Sequence, residues 1–310
     1  MLQQGRPAIG STAQPEASII VEEIQTPSIS WSREAIHFLR YQPLGALGGL
    51  IIFGMLILAV LAPVVAPYDP YELRVDQLFT PPGPTFYLGT DDYGRDIFSR
   101  IIYGSRISLY VGVLAVVLGT TTGAFLGLVS GFVGGRTDTL IQRIMDSLLA
   151  FPALILALAI VAALGQSTTN VIIAVGVVLM PTAARVIRSS VLSIKENVFV
   201  EAGRAIGCGN LRILLRHIMP NCMAPYIILA TSTLGTAILS EAALSFLGLG
   251  TPPPEPSWGT MLSGAAQQYV WRAPWMAIFP GVAISLAVFG FNLFGDALRD
   301  VLDPRLRGSR

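Results

Sequence analysis

The stretch from Leu88 to Leu109 gathers acidic and basic side chains, namely Asp91, Asp92, Arg95, Asp96 and Arg100. Clustered carboxylates supply the oxygen ligands that Ca²⁺ and Mg²⁺ prefer, so a cation site is one interpretation. The other is a helix start, in which Thr90 or Asp91 caps the helix and the acids stabilise its first turn. The isoleucines that follow, Ile97, Ile101 and Ile102, would then rest on a membrane. Helix starts explain such clusters more often than metals do, so we expect the cap and no metal site.

Three further acids lie inside or beside apolar segments: Asp146, Glu241 and Asp296. An ionisable group at membrane depth is costly, and a functional role is therefore the first expectation for it. For Asp146 and Asp296 we expect instead a structural ion pair or a hydrogen bond at a helix end. For Glu241 two roles remain open: it lines a path through the membrane, or it fastens a gate on the outer side.

Few side chains are suited to catalysis. Lys195 is the only lysine, which excludes a Gly-Lys-Ser/Thr phosphate loop, so we do not expect the chain to bind ATP in that way. The histidines, His37 and His217, match no HExxH pattern, and an intramembrane enzyme is a remote alternative. Cys208 and Cys222 have no metal or redox spacing and are expected to be reduced packing residues.

The composition places these residues in a polytopic membrane protein. Of the 310 residues, 53% are hydrophobic and only 13% are charged, and no soluble domain of this length could bury so much apolar surface. The net charge of +1 gives no case for nucleic acid. A helix crosses the hydrocarbon layer with about 20 residues. By that measure the fold is all-α with six transmembrane helices: Leu44–Ala66, Ile107–Val133, Arg143–Gly165, Asn170–Leu192, Cys222–Gly248 and Pro274–Gly295.

Two regions are expected. Residues 1–43 form a polar cytoplasmic tail with a possible interfacial helix from Trp31 to Tyr41, and residues 44–310 form the transmembrane domain. With the N-terminus inside, fifteen of the 20 Lys and Arg residues fall on the inner side, which predicts that both termini are cytoplasmic. Arg185 and Arg188, at the end of the fourth span, are expected to snorkel to the interface.

Glycine recurs at every fourth position of the second span, at Gly119, Gly123, Gly127 and Gly131. Helices in lipid associate through close backbone approach at small residues. We therefore predict that this face packs tightly against a neighbouring helix, in this chain or in a partner. The alternative, that glycine is merely common in membrane helices, is weakened by four glycines in register.

The polar stretch from Val198 to Asn221 interrupts the apolar segments. Gly207 separates two short helical patterns; Asn210 is expected to cap the second helix and Pro220 to end it. A helix–glycine–helix unit that lies flat against a membrane suits a contact with a partner protein. The alternative is an interfacial loop without a partner.

Several motifs carry a family resemblance. Glu201-Ala202-Gly203, then Gly207, then His217-Ile218-Met219-Pro220 resembles the EAA loop of ABC-importer permease subunits, although Gly203, His217 and Met219 depart from its pattern. The run LGTDDYGRD from Leu88 resembles a signature of the C-type subunit of dipeptide, oligopeptide and nickel importers. SFLGLG and the closing GDALRDVLDP are similar to the same importers. The resemblance covers roughly Leu44 to Gly308.

The resemblance implies the ABC-importer permease fold and a non-catalytic subunit, in a bacterial inner membrane, that translocates dipeptides or oligopeptides. It implies a homologous permease subunit in a heterodimer, two ABC ATPase subunits and an extracytoplasmic substrate-binding protein. No cofactor is expected on this chain, with ATP and magnesium on the ATPase subunits. The alternatives are nickel chelates or glutathione-like cargo and, from another class, a stand-alone secondary transporter, for which only Glu241 offers an intramembrane charge.

The resemblance also implies roles for individual residues. In the coupling loop (residues 193–221), small side chains allow the first helix to sit in an ATPase cleft, and Glu201 can bind a basic residue there. The ATPase-coupling residues are then Glu201, Ala202, Gly203, Ala205 and Gly207. On the outer side, the proline-rich loop from Thr251 to Trp271 is predicted to dock the substrate-binding protein through Trp258 and Trp271, or else to be a passive rigid connector.

Overall fold

The computed structural model describes residues 42–263 and 268–302, and this part of the chain is all-α, as predicted. Two turns, a π turn (Leu214–Ile218) and a 3-10 turn (Met219–Cys222), join the eighth helix to the ninth. The tail, its expected interfacial helix and the end of the chain lie outside the described residues. In chain order the helices are α1 (Pro43–Val60), α2 (Ala62–Val65), α3 (Ile97–Val133), α4 (Gly135–Leu149), α5 (Ala153–Leu164), α6 (Thr168–Ile194), α7 (Val198–Ala205), α8 (Asn210–Ile213), α9 (Met223–Phe246), α10 (Trp258–Leu262) and α11 (Trp275–Leu302).

Five segments of the described chain are long and apolar enough to cross a membrane, and a bent helix pair raises the number to six. The five contain α1, α3, α6, α9 and α11, close to the predicted spans. The predicted third span, Arg143–Gly165, is not one straight helix: it is divided between α4 and α5, which meet at 94°. Pro152 stands directly before α5, and proline both lacks an N–H donor and disfavours helical backbone in the residue before it.

Helix α3 is longer than its predicted span because it begins at Ile97, ten residues before the predicted start at Ile107. Its 37 residues extend about 55 Å at 1.5 Å per residue. The cap is Asp96, whose carboxylate accepts from the Ser99 N–H at 2.8 Å, so the expected cap at Thr90 or Asp91 is wrong. Ile97 and Ile102 are buried inside the protein and do not rest on a membrane.

The glycine face of α3 packs against α6, as predicted for a helix of the same chain. A Cβ added at Gly119, Gly123 or Gly127 would overlap carbonyl oxygens of α6. These carbonyl oxygens belong to Gly176, Met180 and Ala184, which follow one another at intervals of about one helical turn. Because the two backbones touch, this helix pair is the tightly packed axis of the fold.

Helix α11 packs between α1 and α9 and completes the bundle. A first apolar core joins α3, α5, α6 and α9, and a second joins α1, α3, α9, α10 and α11. A third core lies below the coupling loop and contains Ile187, Val191, Val200, Ile213 and Ile218. The third core shares α3 and α6 with the first core, and the second core shares α3 and α9 with it.

Candidate functional site

The coupling loop contains the predicted helix–glycine–helix unit. In α7, Val200 and Gly203 face inward and are buried, and Val200 belongs to the core that also contains Ile213 and Ile218. The opposite face of α7 is open, and the exposed residues there include Glu201, Ala202 and Ala205. The loop is therefore anchored on one side and free on the other.

Gly207 forms the elbow between α7 and α8. Its φ of +83° lies in the left-handed region, and no atom lies within 4 Å of the place where a Cβ would stand. Its amide donates to the Arg204 carbonyl at 3.0 Å, and the Cys208 amide donates to the Gly203 carbonyl at 3.0 Å. Glycine is needed here for backbone conformation and not for space, because left-handed backbone costs other residues about 1–2 kcal/mol.

Two details of this loop differ from the expectation. Asn210 does not cap α8: it is the first residue of that helix, Gly209 precedes it, and no side chain caps the end. Pro220 does not end the second helix, because it enters a 3-10 turn that leads directly into α9. Proline is compatible with the first turn of a helix, where its missing N–H has no intrahelical role.

Large apolar side chains cover the open face of the coupling loop. Val198 is 80% exposed, Ile206 81% and Leu211 68%. They lie next to the exposed Glu201 and Arg204, so the face combines apolar contact with charge. Both free cysteines lie on the opposite side: Cys222 is buried in the core below the loop, and Cys208 packs against it.

Two ion pairs fix the C-terminal end of α6 to α4, beside the coupling loop. Arg188 binds Asp138 through two parallel contacts of 2.6 Å each, and Ser130 of α3 donates to the same carboxylate at 2.5 Å. Arg185 pairs with Asp146 at 2.5 Å. The arginines expected to snorkel are thus paired within the protein, and Asp146 makes the structural pair expected of it.

Asp91, Arg95 and Arg100, in the stretch from Leu88 to Leu109, form an ion-pair network. Asp91 accepts from the Tyr93 and Arg95 amides at 2.9 Å and from Arg95 Nε at 2.7 Å. Arg100 donates to the Pro70 carbonyl at 3.0 Å. Burial, followed by the neighbouring Asp91, raises the pKa of Asp92 above its ordinary value. Arginine side chains and backbone amides already bind the carboxylate oxygens of Asp91. This geometry therefore suits a structural contact that fixes the loop before α3, and not a cation site.

Tyr71, in the segment between α2 and α3, connects that segment with the proline-rich loop. Its hydroxyl donates to Glu255 at 3.0 Å. Burial, followed by this hydrogen bond to Glu255, raises the pKa of Tyr71 above its ordinary value. Within the described ranges no group of three or more His, Cys, Asp or Glu side chains is placed to hold a metal ion.

Of the two tryptophans predicted to dock a partner, only one is accessible. Trp271 is 97% exposed, whereas Trp258 is 1% exposed. The proline-rich loop turns back into the bundle, and its helix α10 places the Trp258 ring in the core, where Nε1 donates to the Ile101 carbonyl at 3.0 Å. The prediction that Trp258 presents an outer docking surface is therefore wrong for this conformation.

Glu241 lies beside α10 and has no exposed surface. Its Oε1 accepts from the Ser245 hydroxyl at 2.7 Å, and the Ser108 and Ser257 hydroxyls face the same carboxyl. Asp296, by contrast, is exposed and lies inside α11, which continues to Leu302. Full burial argues against contact between Glu241 and a path through the membrane.

Helix α9 carries a row of hydroxyl side chains on its uncovered face. Ser232 and Thr236 are exposed and Ser240 is half-buried. Each donates to a carbonyl of its own helix, at 3.0, 2.7 and 2.8 Å respectively. Sequence reasoning missed both this row and the Asp138–Arg188 pair. The spacing of four residues along α9 could have indicated the row. No local pattern could have indicated the pair, because its residues are 50 positions apart.

Comparison with known families gives two matches. Residues 123–308 match the family described as "Binding-protein-dependent transport system inner membrane component". Residues 30–82 match the N-terminal transmembrane domain of oligopeptide transport permease C. Together the matches cover the coupling loop and both ends of the bundle.

Several relatives are similar over nearly their whole length. The dipeptide transport system permease protein DppC of Alkalihalophilus pseudofirmus is 45% identical over 94% of this chain and 96% of its own. The di/tripeptide transport system permease protein DppC of Pseudomonas aeruginosa is 47% identical over 86% and 89%. The glutathione transport system permease protein GsiD of Escherichia coli is 43% identical over 93% of both chains.

A solved structure shares the fold. A chain of the inward-facing MetNI methionine ABC transporter superposes with a TM-score of 0.55 at 18% identity, covering 66% of this chain and 96% of its own. At that identity the likeness concerns the fold alone. It agrees with the all-α membrane architecture described above.

Proposed function

The chain belongs to the family of binding-protein-dependent transport system inner membrane components, and we propose that it is a transmembrane subunit of an ATP-driven importer of dipeptides or oligopeptides. The assignment of peptides as cargo is supported by the 45% and 47% identity to a dipeptide permease and a di/tripeptide permease over most of each chain. The coupling loop supports ATP hydrolysis by a partner as the energy source. It is anchored to the bundle on one face, and its other face is exposed and available to an ATPase.

The coupling loop is the surface on which the ATPase acts. Its exposed apolar residues provide contact area, and Glu201 provides a carboxylate that can pair with a basic residue of the ATPase. Gly207 adds no side chain to this exposed part of the loop, whereas Gly203 lies on the buried side of α7. Movement of α7 is transmitted to the bundle because Val200 and Ile213 share a buried core with α6.

The hydroxyl face of α9 lines the cargo path, with a second permease subunit opposite. Exposed hydroxyls at membrane depth are better placed against water or a polar ligand than against lipid. A peptide backbone offers donors and acceptors along its whole length, and Ser232, Thr236 and Ser240 can meet either kind of group. The row therefore suits cargo of variable side chains.

The assembly is a heterodimer of two homologous permease subunits with two ABC ATPase subunits and an extracytoplasmic substrate-binding protein. ATP and magnesium bind to the ATPase subunits, and this chain has no catalytic role. The coupling loop and both termini face the bacterial cytoplasm. The loop that carries Trp271 then lies outside, where the fully exposed indole is available to the substrate-binding protein.

Uptake by the complete complex in proteoliposomes tests the proposal. Labelled dipeptide, tripeptide and longer peptides are supplied with the binding protein outside and ATP inside, and ATP-dependent accumulation of peptide is expected. Omission of the binding protein or of ATP is the control and abolishes uptake. Peptide uptake without ATP, driven by a proton gradient, would identify a secondary transporter and refute the proposal.

A second cargo is glutathione, favoured by 43% identity to a glutathione permease over 93% of both chains. It is a tripeptide-sized thiol, so the same path could accommodate it. Competition assays separate the two cargoes: an excess of glutathione that leaves dipeptide uptake unchanged excludes it. Nickel chelates are tested in the same way.

A further inference from the structure

The starting observation is a carboxyl group buried where three parts of the chain meet. Glu241 of α9 has no exposed surface, and its Oε1 accepts from Ser245 on the same helix. The other two hydroxyls that face the carboxyl come from elsewhere: Ser108 belongs to α3, and Ser257 directly precedes α10. The carboxyl of Glu241 thus lies where α9, α3 and the start of α10 meet, and its one hydrogen bond of good geometry is to Ser245 of α9 itself.

Helix α10 is a short wedge that fills the end of the bundle opposite the coupling loop. The Trp258 amide donates to Ser108 Oγ at 3.3 Å, and its indole donates to the Ile101 carbonyl at 3.0 Å. Gly259 sits on α9, where a Cβ would lie 2.6 Å from the Ala242 carbonyl oxygen. Gly104 of α3 leaves space for the Trp258 ring, which would lie 3.3 Å from a Cβ there.

The start of α10 is fixed by its own cap. Ser257 and Thr260 form a capping box, in which the Ser257 hydroxyl accepts from the Thr260 amide at 3.2 Å and Thr260 Oγ1 accepts from the Ser257 amide at 2.9 Å. The cap hydroxyl that organises α10 is therefore the one that also faces Glu241. Displacement of α10 necessarily disturbs the surroundings of the buried carboxyl.

The charge environment of Glu241 is also informative. Among the described residues none of the ion pairs includes Glu241, and Oε2 makes no hydrogen bond of good geometry in this conformation. A buried carboxyl surrounded by hydroxyls depends on those hydroxyls for its satisfaction, because an unsatisfied buried group is costly. The hydroxyls on α3 and before α10 are the neighbouring groups placed to satisfy this carboxyl, so it is best accommodated while the three elements stay together.

We propose that Glu241 is a positioning residue that latches α10 between α3 and α9, so that the bundle stays closed at this end until the transport cycle displaces α10. The release of α10 during the transport cycle rests on the proposed importer function. The closed position of α10 between α3 and α9 rests only on the contacts described above. It assigns Glu241 to closure of the subunit and not to contact with cargo.

Hydrogen–deuterium exchange of the assembled complex in lipid nanodiscs tests the latch. In Glu241→Ala, amides of residues 258–262 are expected to exchange about tenfold faster than in the wild type, a ratio that corresponds to about 1.4 kcal/mol of opening free energy. Glu241→Gln retains a side chain of nearly the same size with an oxygen acceptor beside Ser108 and Ser257, and is expected to give a smaller increase. Exchange of the coupling loop, residues 198–206, stays unchanged.

Two further variants complete the design. Ser108→Ala removes both the α3 hydroxyl beside the Glu241 carboxyl and the acceptor of the Trp258 amide, and it is expected to accelerate the same amides even if Glu241→Ala fails to assemble. Ser285→Ala is the matched control, because that hydroxyl donates only to the Gly281 carbonyl of its own helix at 2.8 Å, and its α10 exchange equals that of the wild type.

Transport kinetics distinguish the latch from a cargo contact. Loss of the latch lowers the transport rate per ATP hydrolysed and leaves the KM for peptide unchanged. Wild-type exchange in all Glu241 and Ser108 variants, or a raised peptide KM with wild-type exchange, would overturn the inference. If the wild-type complex transports no peptide, the proposed function fails, but the exchange comparison still decides the latch.

Discussion

Replacement of Gly123 by alanine measures the close contact between α3 and α6. An added Cβ would lie 2.7 Å from the Ala183 Cβ, about 0.7 Å inside the 3.4 Å at which ordinary van der Waals contact begins, and it would overlap the Met180 carbonyl oxygen as well. Backbone atoms cannot rotate away, so the two helices must separate. Overpacking of this kind costs about 1–3 kcal/mol.

The helical preference of alanine offsets part of that cost. Alanine is favoured over glycine inside a helix by about 1 kcal/mol, a gain that Gly123→Ala shares with any glycine-to-alanine change in a helix. Gly54→Ala in α1 is the matched control, because no atom lies within 4 Å of a Cβ at that position. The difference between the two variants therefore isolates the contact with α6 and is expected to be about 1–3 kcal/mol.

Detergent-induced unfolding of the purified complex, followed by loss of helical signal, gives both unfolding free energies. Gly54→Ala is expected to be neutral or slightly stabilising, and Gly123→Ala destabilising. A larger residue at Gly123, such as valine, should increase the loss. Equal unfolding free energies for the two alanine variants would show that α3 and α6 do not touch at this point and would refute the reasoning.

Four other perturbations follow from the geometry. Gly207→Val should abolish peptide uptake while ATP hydrolysis continues, because β-branched residues avoid the left-handed φ of +83°. Gly207→Asn should retain most of the coupling between ATP hydrolysis and uptake, because asparagine tolerates this conformation. Equal peptide uptake by the two variants would contradict this explanation. Reversal of Arg188 to aspartate should lower the unfolding free energy by about 1 kcal/mol or more, and the double reversal with Asp138→Arg should restore part of it, as measured in a double-mutant cycle. Trp258→Ala should cost about 3–5 kcal/mol in unfolding free energy. Trp271→Ala should change it by less than about 0.5 kcal/mol and instead reduce stimulation of ATP turnover by the binding protein, and an unchanged stimulation would remove Trp271 from the docking surface.

The features that sequence reasoning predicted correctly obey local rules. The length of an apolar run sets the extent of α1, α6 and α9, and the spacing of four among the α3 glycines predicts one packed face. Gly207 was identified as the elbow because glycine after a helical pattern is a common helix end. Each of these signals lies within a few turns of one helix.

The features that it missed depend on distant partners. Asp91 and Asp96 are both suitable caps, but Asp91 is occupied by the amides and side chain of its own turn, which leaves the cap to Asp96. Trp258 was predicted to dock the substrate-binding protein because it lies in the proline-rich loop from Thr251 to Trp271. Its burial depends on Gly104 and Ser108, about 150 positions earlier in the chain, and no local pattern reports that contact.

Helix α3 joins the two sites, since Ser108 faces the latch near one end and Ser130 binds Asp138 near the coupling loop. Its glycine face holds it against α6 along the length between them, so it can move only together with α6. Position between two sites is not evidence of coupling, and a demonstrated interaction energy is required. If the α3–α6 pair acts as one rigid body, Gly123→Ala should change the exchange of α10 amides in the wild type but much less in Glu241→Ala, where the latch is already lost. Strictly additive effects in this double-mutant cycle would mean that the α3–α6 contact at Gly123 and the latch act independently.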